Sequence, residues 1–221
     1  MRIYFARHGE SQANLLHEIS NRGLRHGLTR KGREQAHLLG ESLGNHGIMY
    51  IYSSPILRAI ETSIILANQL NVDYEIVDGL REYDCGLVEG HADEDSWQQW
   101  HMLFDSWTVK KQWQQCIEGG ETFFDIRNRF VPFVDSLINK FDGTETKVLC
   151  VAHGGIYRLM LPLIFKNYDE KILEQQGIEY TSYIISEVYS GDLFCVEWNG
   201  KTFNIPQSDL QATSQANKAC T

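Results

Sequence analysis

Along the 221-residue chain, short apolar runs alternate with longer stretches in which apolar residues recur every three or four positions. Ile3 to Ala6 reads as a strand, followed by a helical pattern from about Thr29 to Leu43, a strand from Met49 to Ser53 and a second helical pattern from about Ile56 to Leu70. That alternation is the βαβ signature of an α/β protein with a mostly parallel sheet, because each parallel pair needs a crossover that returns over one face. Tyr74 to Val77 adds a short strand. Between Glu121 and Phe141, the residues Phe123, Ile126, Phe130, Phe133, Val134 and Leu137 fall on one side of a helix, an apolar face suited to covering the sheet. Lys147 to Ala152 is almost continuously apolar, the pattern of a central strand buried on both faces. A helix is expected over Ile156 to Leu163, and Tyr180 to Val188 with Leu193 to Trp198 predict an antiparallel hairpin at a sheet edge.

The tract from about Asp93 to Gln115 stands apart, with aromatic residues at Trp97, Trp100, Phe104, Trp107 and Trp113. It reads as an inserted helical excursion, about 91–118, that lies over a pocket and packs its aromatics onto the body. Residues 1–205 are expected to form a single domain. The stretch 206–221 is rich in Ser, Gln, Ala and Asn and reads as a polar, flexible tail without chemistry.

Composition narrows the class. Hydrophobic residues make up 43% and charged residues 22%, which excludes disordered and fibrous chains. A formal charge of -9 argues against nucleic-acid partners, which require a broad cationic surface. A small phosphate ester needs only a few cations converging on one pocket. The five cysteines lack any Cys-x-x-Cys pair and read as free thiols in a reducing compartment. Met1 leads straight into the first strand, and the longest later apolar run, Leu159 to Phe165, is interrupted by Pro162. Neither a signal peptide nor a membrane span is expected, and the protein reads as cytoplasmic without membrane partners.

Three polar clusters each follow a predicted strand: Arg7-His8-Gly9-Glu10-Ser11, Ser53-Ser54-Pro55 with Arg58, and His153-Gly154-Gly155. The carboxyl ends of parallel strands share one rim, so these clusters are expected to meet. A neutral imidazole at His8 is a competent nucleophile toward phosphorus, and the resulting phosphohistidine splits one displacement into two. Arg7 and Arg58 are suited to holding phosphoryl oxygens bidentately, His153 to adding a donor, and Gly154 with Gly155 to exposing backbone N–H groups at a helix start. Expulsion of an ester oxygen also needs an acid. Glu82, just after the third strand, is one candidate and Asp84 its local competitor.

These residues resemble the histidine phosphatase superfamily in its phosphoglycerate-mutase-like branch, branch 1. The resemblance is carried in order by Arg7-His8-Gly9-Glu10-Ser11 with Asn14, Leu28-Thr29 with Gly32, Gln35 and Ala36, and Ser53-Ser54-Pro55-Ile56-Leu57-Arg58-Ala59 with Thr62. It continues through Leu80-Arg81-Glu82 with Gly86 and Glu89-Gly90, Gly119-Gly120-Glu121, and Ala152-His153-Gly154-Gly155. It implies a three-layer α/β/α sandwich and a catalytic set of His8, Glu82, Arg7, Arg58 and His153. His8 would be the phosphorylated nucleophile and Glu82 the proton donor and acceptor. Arg7, Asn14, Arg58, His153 and Gly154 would bind phosphate, with no metal and no other cofactor. Many members carry an acidic residue and then a small residue or proline before Leu28-Thr29, where this chain has Arg25-His26-Gly27, a difference expected at the pocket mouth.

The function implied is a metal-independent, histidine-acid-type phosphatase acting on a small phosphorylated metabolite. One alternative is a phosphoglycerate mutase dependent on 2,3-bisphosphoglycerate, disfavoured by the absence of a basic, mutase-like stretch around Glu82 and by the shorter middle region. Another is a catalytically silent phosphate-binding or scaffold protein, disfavoured because every residue expected to act is present. The reading admits a homodimer.

Overall fold

The computed structural model describes residues 1–169 and 177–205, so the polar tail lies outside the described residues. Seven strands, β1 (Arg2–Arg7), β2 (Tyr50–Ser53), β3 (Tyr74–Ile76), β4 (Lys147–Ala152), β5 (Tyr183–Tyr189), β6 (Asp192–Trp198) and β7 (Lys201–Thr202), form one sheet in the order β3-β2-β4-β1-β5-β6-β7. The helices are α1 (Gln12–Leu16), α2 (Arg30–Leu43), α3 (Leu57–Leu70), α4 (Glu94–Thr108), α5 (Phe123–Phe141) and α6 (Gly154–Ile164).

Period-two alternation along the strands builds two cores. On one face, Ile3 and Phe5 of β1 and Val148, Cys150 and Ala152 of β4 pack with Ile126, Phe130, Val134 and Leu137 of α5. On the other, Tyr4, Ala6, Leu149 and Val151 pack with Leu39 and Leu43 of α2 and Ala59 and Leu66 of α3. The result is the expected α/β/α layering, and β4 is buried on both faces because α5 covers one and α2 with α3 the other.

The sheet is less uniformly parallel than the strand-helix alternation suggests. β1 to β4 run parallel, but β5, β6 and β7 join antiparallel, so three of the six neighbouring pairs are parallel. The β5–β6 hairpin pairs with β1, and β7 extends the sheet beyond it. The turn into β7 is Asn199-Gly200, both with positive φ (49° and 80°), the backbone that a two-residue hairpin turn requires.

Helix ends follow their caps. Thr29 accepts the Gly32 N–H at 2.9 Å and starts α2. Thr122 and Asp125 form a capping box that starts α5 two residues after Glu121. The α4 helix stops at Thr108, short of Gln115, and Lys111 beyond it takes a left-handed φ of 57°. At the far end of β4, His153 is the N-terminal cap residue of α6, so the helix begins at Gly154, two residues earlier than expected. Among the described residues no helix is long and apolar enough to cross a membrane.

Candidate active site

The carboxyl ends of β1, β2 and β4 lie at one rim, and the three polar clusters meet there. The backbone N–H of His8 donates to the Ala152 carbonyl, and that of Ser54 to the Val151 carbonyl, which ties the three strand ends together (3.0 and 2.9 Å). A cavity of about 470 Å³ opens at this rim, bordered by Arg7, His8, Asn14, Arg58, Glu82 and Gly154. His153 is not on its wall; it is buried with its ring centre 5.0 Å from that of His8.

His8 is buried, and its Nδ1–H donates to the Gly9 carbonyl at 2.6 Å, because a carbonyl can only accept. The lone pair therefore resides on Nε2, which accepts from Arg58 Nε–H at 3.0 Å. Burial, then the charges of Arg58 and Arg7, hold the imidazole well below the usual histidine range, and it stays neutral.

Arg58 lies in the first turn of α3. Its remaining nitrogens donate to the Ser20 carbonyl at 2.5 Å and to Asn21 Oδ1 at 3.4 Å. Burial pushes its guanidinium down to about 10, which leaves it charged at neutral pH. Arg7 closes the other side. Its Nη1 donates to the Ile178 carbonyl at 2.8 Å, its guanidinium carbon lies 4.1 Å from the centre of the Tyr180 ring, and its Nε is buried without a hydrogen-bond partner among the described residues. A Cβ on Gly154 would stand 3.4 Å from that Nε. Asn14 spends its Oδ1 on the Ser11 N–H and hydroxyl (3.0 and 2.7 Å), and its amide NH₂ donates to no partner among the described residues.

Glu82 is buried at the start of α6. Its Oε2 accepts the Gly155 N–H at 2.9 Å and its Oε1 the Tyr83 N–H at 3.1 Å. Burial raises the carboxyl above its usual value, against the pull of Arg58 and of the Tyr83, Gly155 and Ile156 N–H groups. Asp84 points elsewhere: it grips Arg22 with both oxygens (2.6 and 2.8 Å) and accepts the Gly86 N–H. His153 engages the Ser54 hydroxyl through Nε2 at 2.6 Å, and its Nδ1 is buried without a partner among the described residues.

Several supporting residues carried no weight of their own in the sequence. Glu121, from the Gly-Gly-Glu triplet, accepts from Arg81, Arg129 and the Asp84 N–H (3.0, 2.9 and 2.9 Å) and pins the loop that carries Glu82. Glu89 accepts the N–H groups of Asn21 and Arg22, both at 2.9 Å, and so steadies the loop that holds Arg58. Arg25 and His26 both hold Glu18, at 2.8 and 2.9 Å, and Glu18 borders the cavity, which puts the atypical Arg25-His26-Gly27 segment beside it. Tyr83, Trp97, Trp100, Phe104 and Arg158 also border the cavity, so part of the α4 aromatic set faces it while Trp107 is fully buried. Among the described residues no group of three or more His, Cys, Asp or Glu side chains is placed to hold a metal ion.

Residues 3–201 match the model of the histidine phosphatase superfamily (branch 1). The chain is 28% identical to a 6-phosphofructo-2-kinase/fructose-2,6-bisphosphatase from Gallus gallus over 172 residues, 77% of this chain but 34% of that protein, so it spans about a third of this bifunctional relative. It is 29% identical to a glucosyl-3-phosphoglycerate phosphatase from Mycolicibacterium vanbaalenii over 162 residues, 70% of each chain. Among solved structures, Bacillus stearothermophilus YhfR superposes with a TM-score of 0.74 at 26% identity, covering 91% of this chain and 98% of that one.

Proposed function

Because the chain belongs to branch 1 of the histidine phosphatase superfamily, we propose that it hydrolyses small phosphate monoesters, without a metal, through a phosphohistidine on His8. One observation carries this: the only hydrogen on the His8 ring nitrogens is pinned to the Gly9 carbonyl, so Nε2 presents its lone pair at the cavity wall. Relatives named as phosphatases support hydrolysis as the outcome.

The chemistry follows from the donors. An incoming phosphoryl group takes the place of His8 Nε2 as the partner of Arg58 Nε–H, so the clamp moves from the nucleophile to a phosphoryl oxygen as the N–P bond forms. Arg7 Nε and the Asn14 NH₂ are unspent donors for the other oxygens. With the Ser54 hydroxyl donating to Nε2 of His153, Nδ1 of His153 carries the ring hydrogen, a donor without a partner among the described residues beside His8. The Gly9 carbonyl offsets the positive charge that the imidazole gains on phosphorylation. Glu82, protonated, gives its proton to the departing ester oxygen; as a carboxylate, it then takes one from the water that attacks phosphohistidine. Such preorganised donors supply most of the acceleration of phosphoryl transfer. The buried free thiols of Cys85, Cys150 and Cys195 support a cytoplasmic setting.

The decisive experiment compares His8→Ala with the wild type on a panel of phosphate esters, assaying both inorganic phosphate and mutase product, with and without excess chelator. The expected outcome is phosphate release by the wild type, unaffected by chelator, and its loss in a folded His8→Ala protein. Hydrolysis that survives the substitution would sink the proposal. So would a mutase activity that depends on 2,3-bisphosphoglycerate with negligible phosphate release.

A further inference from the structure

The cavity has a second wall that the phosphoryl chemistry does not use. Trp97, Trp100 and Phe104 are spaced three and four residues apart on α4 and so share one side of that helix, while Arg158 projects from α6. Arg158 is exposed, and its guanidinium carbon lies 5.6 Å from the centre of the Phe104 ring. Seven other arginines hold carboxylates, and Arg7 and Arg58 serve the rim around His8. No carboxylate among the described residues pairs with Arg158. The cavity's own acids are committed: Glu18 is held by Arg25 and His26, and the charge of Glu179 acts on Arg7.

A second observation points to the same wall. Tyr83 borders the cavity and is 1% exposed, yet its hydroxyl has no hydrogen-bond partner among the described residues. The charge of Arg158 reaches that hydroxyl. A buried hydroxyl without a partner is costly, and it is the kind of group that a ligand completes.

We propose that this wall is a leaving-group subsite. The substrate lays an apolar body against Trp100 and Phe104 and presents a second anionic group, a carboxylate or a second phosphate, to Arg158 beside the Tyr83 hydroxyl. This rests on the phosphatase reading of the same cavity.

The test uses two acidic esters, 4-carboxyphenyl phosphate and 1,4-phenylene bisphosphate, against the neutral isostere 4-carbamoylphenyl phosphate. A charge-assisted hydrogen bond to arginine predicts kcat/KM about 10- to 100-fold higher for at least one acidic ester than for the amide. Which acid is preferred tells carboxylate from phosphate. Arg158→Gln should bring that ratio toward one, mainly through KM, and Arg158→Lys should restore part of it. A wild-type ratio at or below one for both acids, or a ratio that Arg158→Gln leaves in place, overturns the subsite. Calorimetric binding of the same esters to His8→Ala protein, with and without Arg158→Gln, reads the preference without turnover. Absence of hydrolysis of all three esters by the wild type would therefore count against the phosphatase proposal, while the binding ratio still decides the subsite.

Discussion

Glu82 and Asp84 stand two residues apart in one loop, and the fold gives them different environments. Glu82 is buried against the first N–H groups of α6, whereas Asp84 sits in a partly exposed pair with Arg22. A carboxyl raised by burial keeps its proton to higher pH, so the acid form declines as pH climbs through the raised value. Turnover of alkyl phosphates, whose leaving oxygen needs that proton, should fall over the same interval. His8, held down by burial and by two arginines, keeps a neutral imidazole well below pH 6.5, so the acidic limb of the profile for the proposed reaction should lie below the ordinary histidine range. Glu82→Gln should lower kcat on an alkyl phosphate by about 10²- to 10⁴-fold, and by much less on p-nitrophenyl phosphate, which needs no acid. Equal losses on both esters would exclude the proton-donor role. Asp84→Asn should instead cost up to about 1 kcal/mol of stability, read by urea unfolding. At this scale the sequence named His8, Arg7, Arg58 and His153 by their place after strands, but spacing left Glu82 and Asp84 equal. Burial separates them, and burial is a property of the folded chain. Tyr83, Asn21 and Arg158 were illegible for the same reason: each matters through a neighbour contributed by another element.

Helix α6 shows how much an element start can decide. The sequence pattern placed its start at Ile156, yet the helix takes in both preceding glycines, and the Gly155 N–H donates to Glu82. Gly155 is where Glu82 docks: a Cβ there would lie 2.7 and 2.8 Å from the two carboxylate oxygens and 2.6 Å from a ring carbon of Tyr83. Gly155→Ala should therefore push Glu82 off the helix start. The expected outcome is a fall in kcat on alkyl phosphates approaching that of Glu82→Gln, although no acid has been removed. Unchanged kcat would show that the loop yields at no cost. Elements with strong periodicity, α2, α3, α5 and β4, were legible within a residue or two, because their apolar faces are long enough to fix both type and register. The two-residue β7 has no such face and was not foreseen; the Asn199-Gly200 pair before it is the signal that could have marked it. The α4 aromatics pack on the body as the pattern suggested, Trp107 wholly buried, while Trp97, Trp100 and Phe104 pack on the core and also border the cavity, a division that spacing did not state.

For the whole molecule, the layered α/β architecture and the antiparallel hairpin were readable from the order and patterning of the elements, whereas the strand that the hairpin pairs with was not. Nothing in the run of β5 states which neighbour it will choose; pairing with β1 follows from where that edge is left open. The site itself is scattered, with His8, Arg58, Glu82 and His153 far apart in sequence and joined only when the sheet closes. β1 and β2 do not pair: β4 lies between them, pairing with six residues of one and four of the other. That arrangement sets an order on folding. Until residues 147–152 are available, the strands that will flank them have no shared partner, and both apolar faces of the sheet are split. A fragment ending at residue 143 should lack cooperative unfolding and bind the dye ANS, whereas the full chain should do neither; a cooperative transition in the fragment would refute this. During synthesis, about two thirds of the polypeptide must wait for a six-residue strand, which makes the emerging chain a client for whatever shields apolar edges on the ribosome.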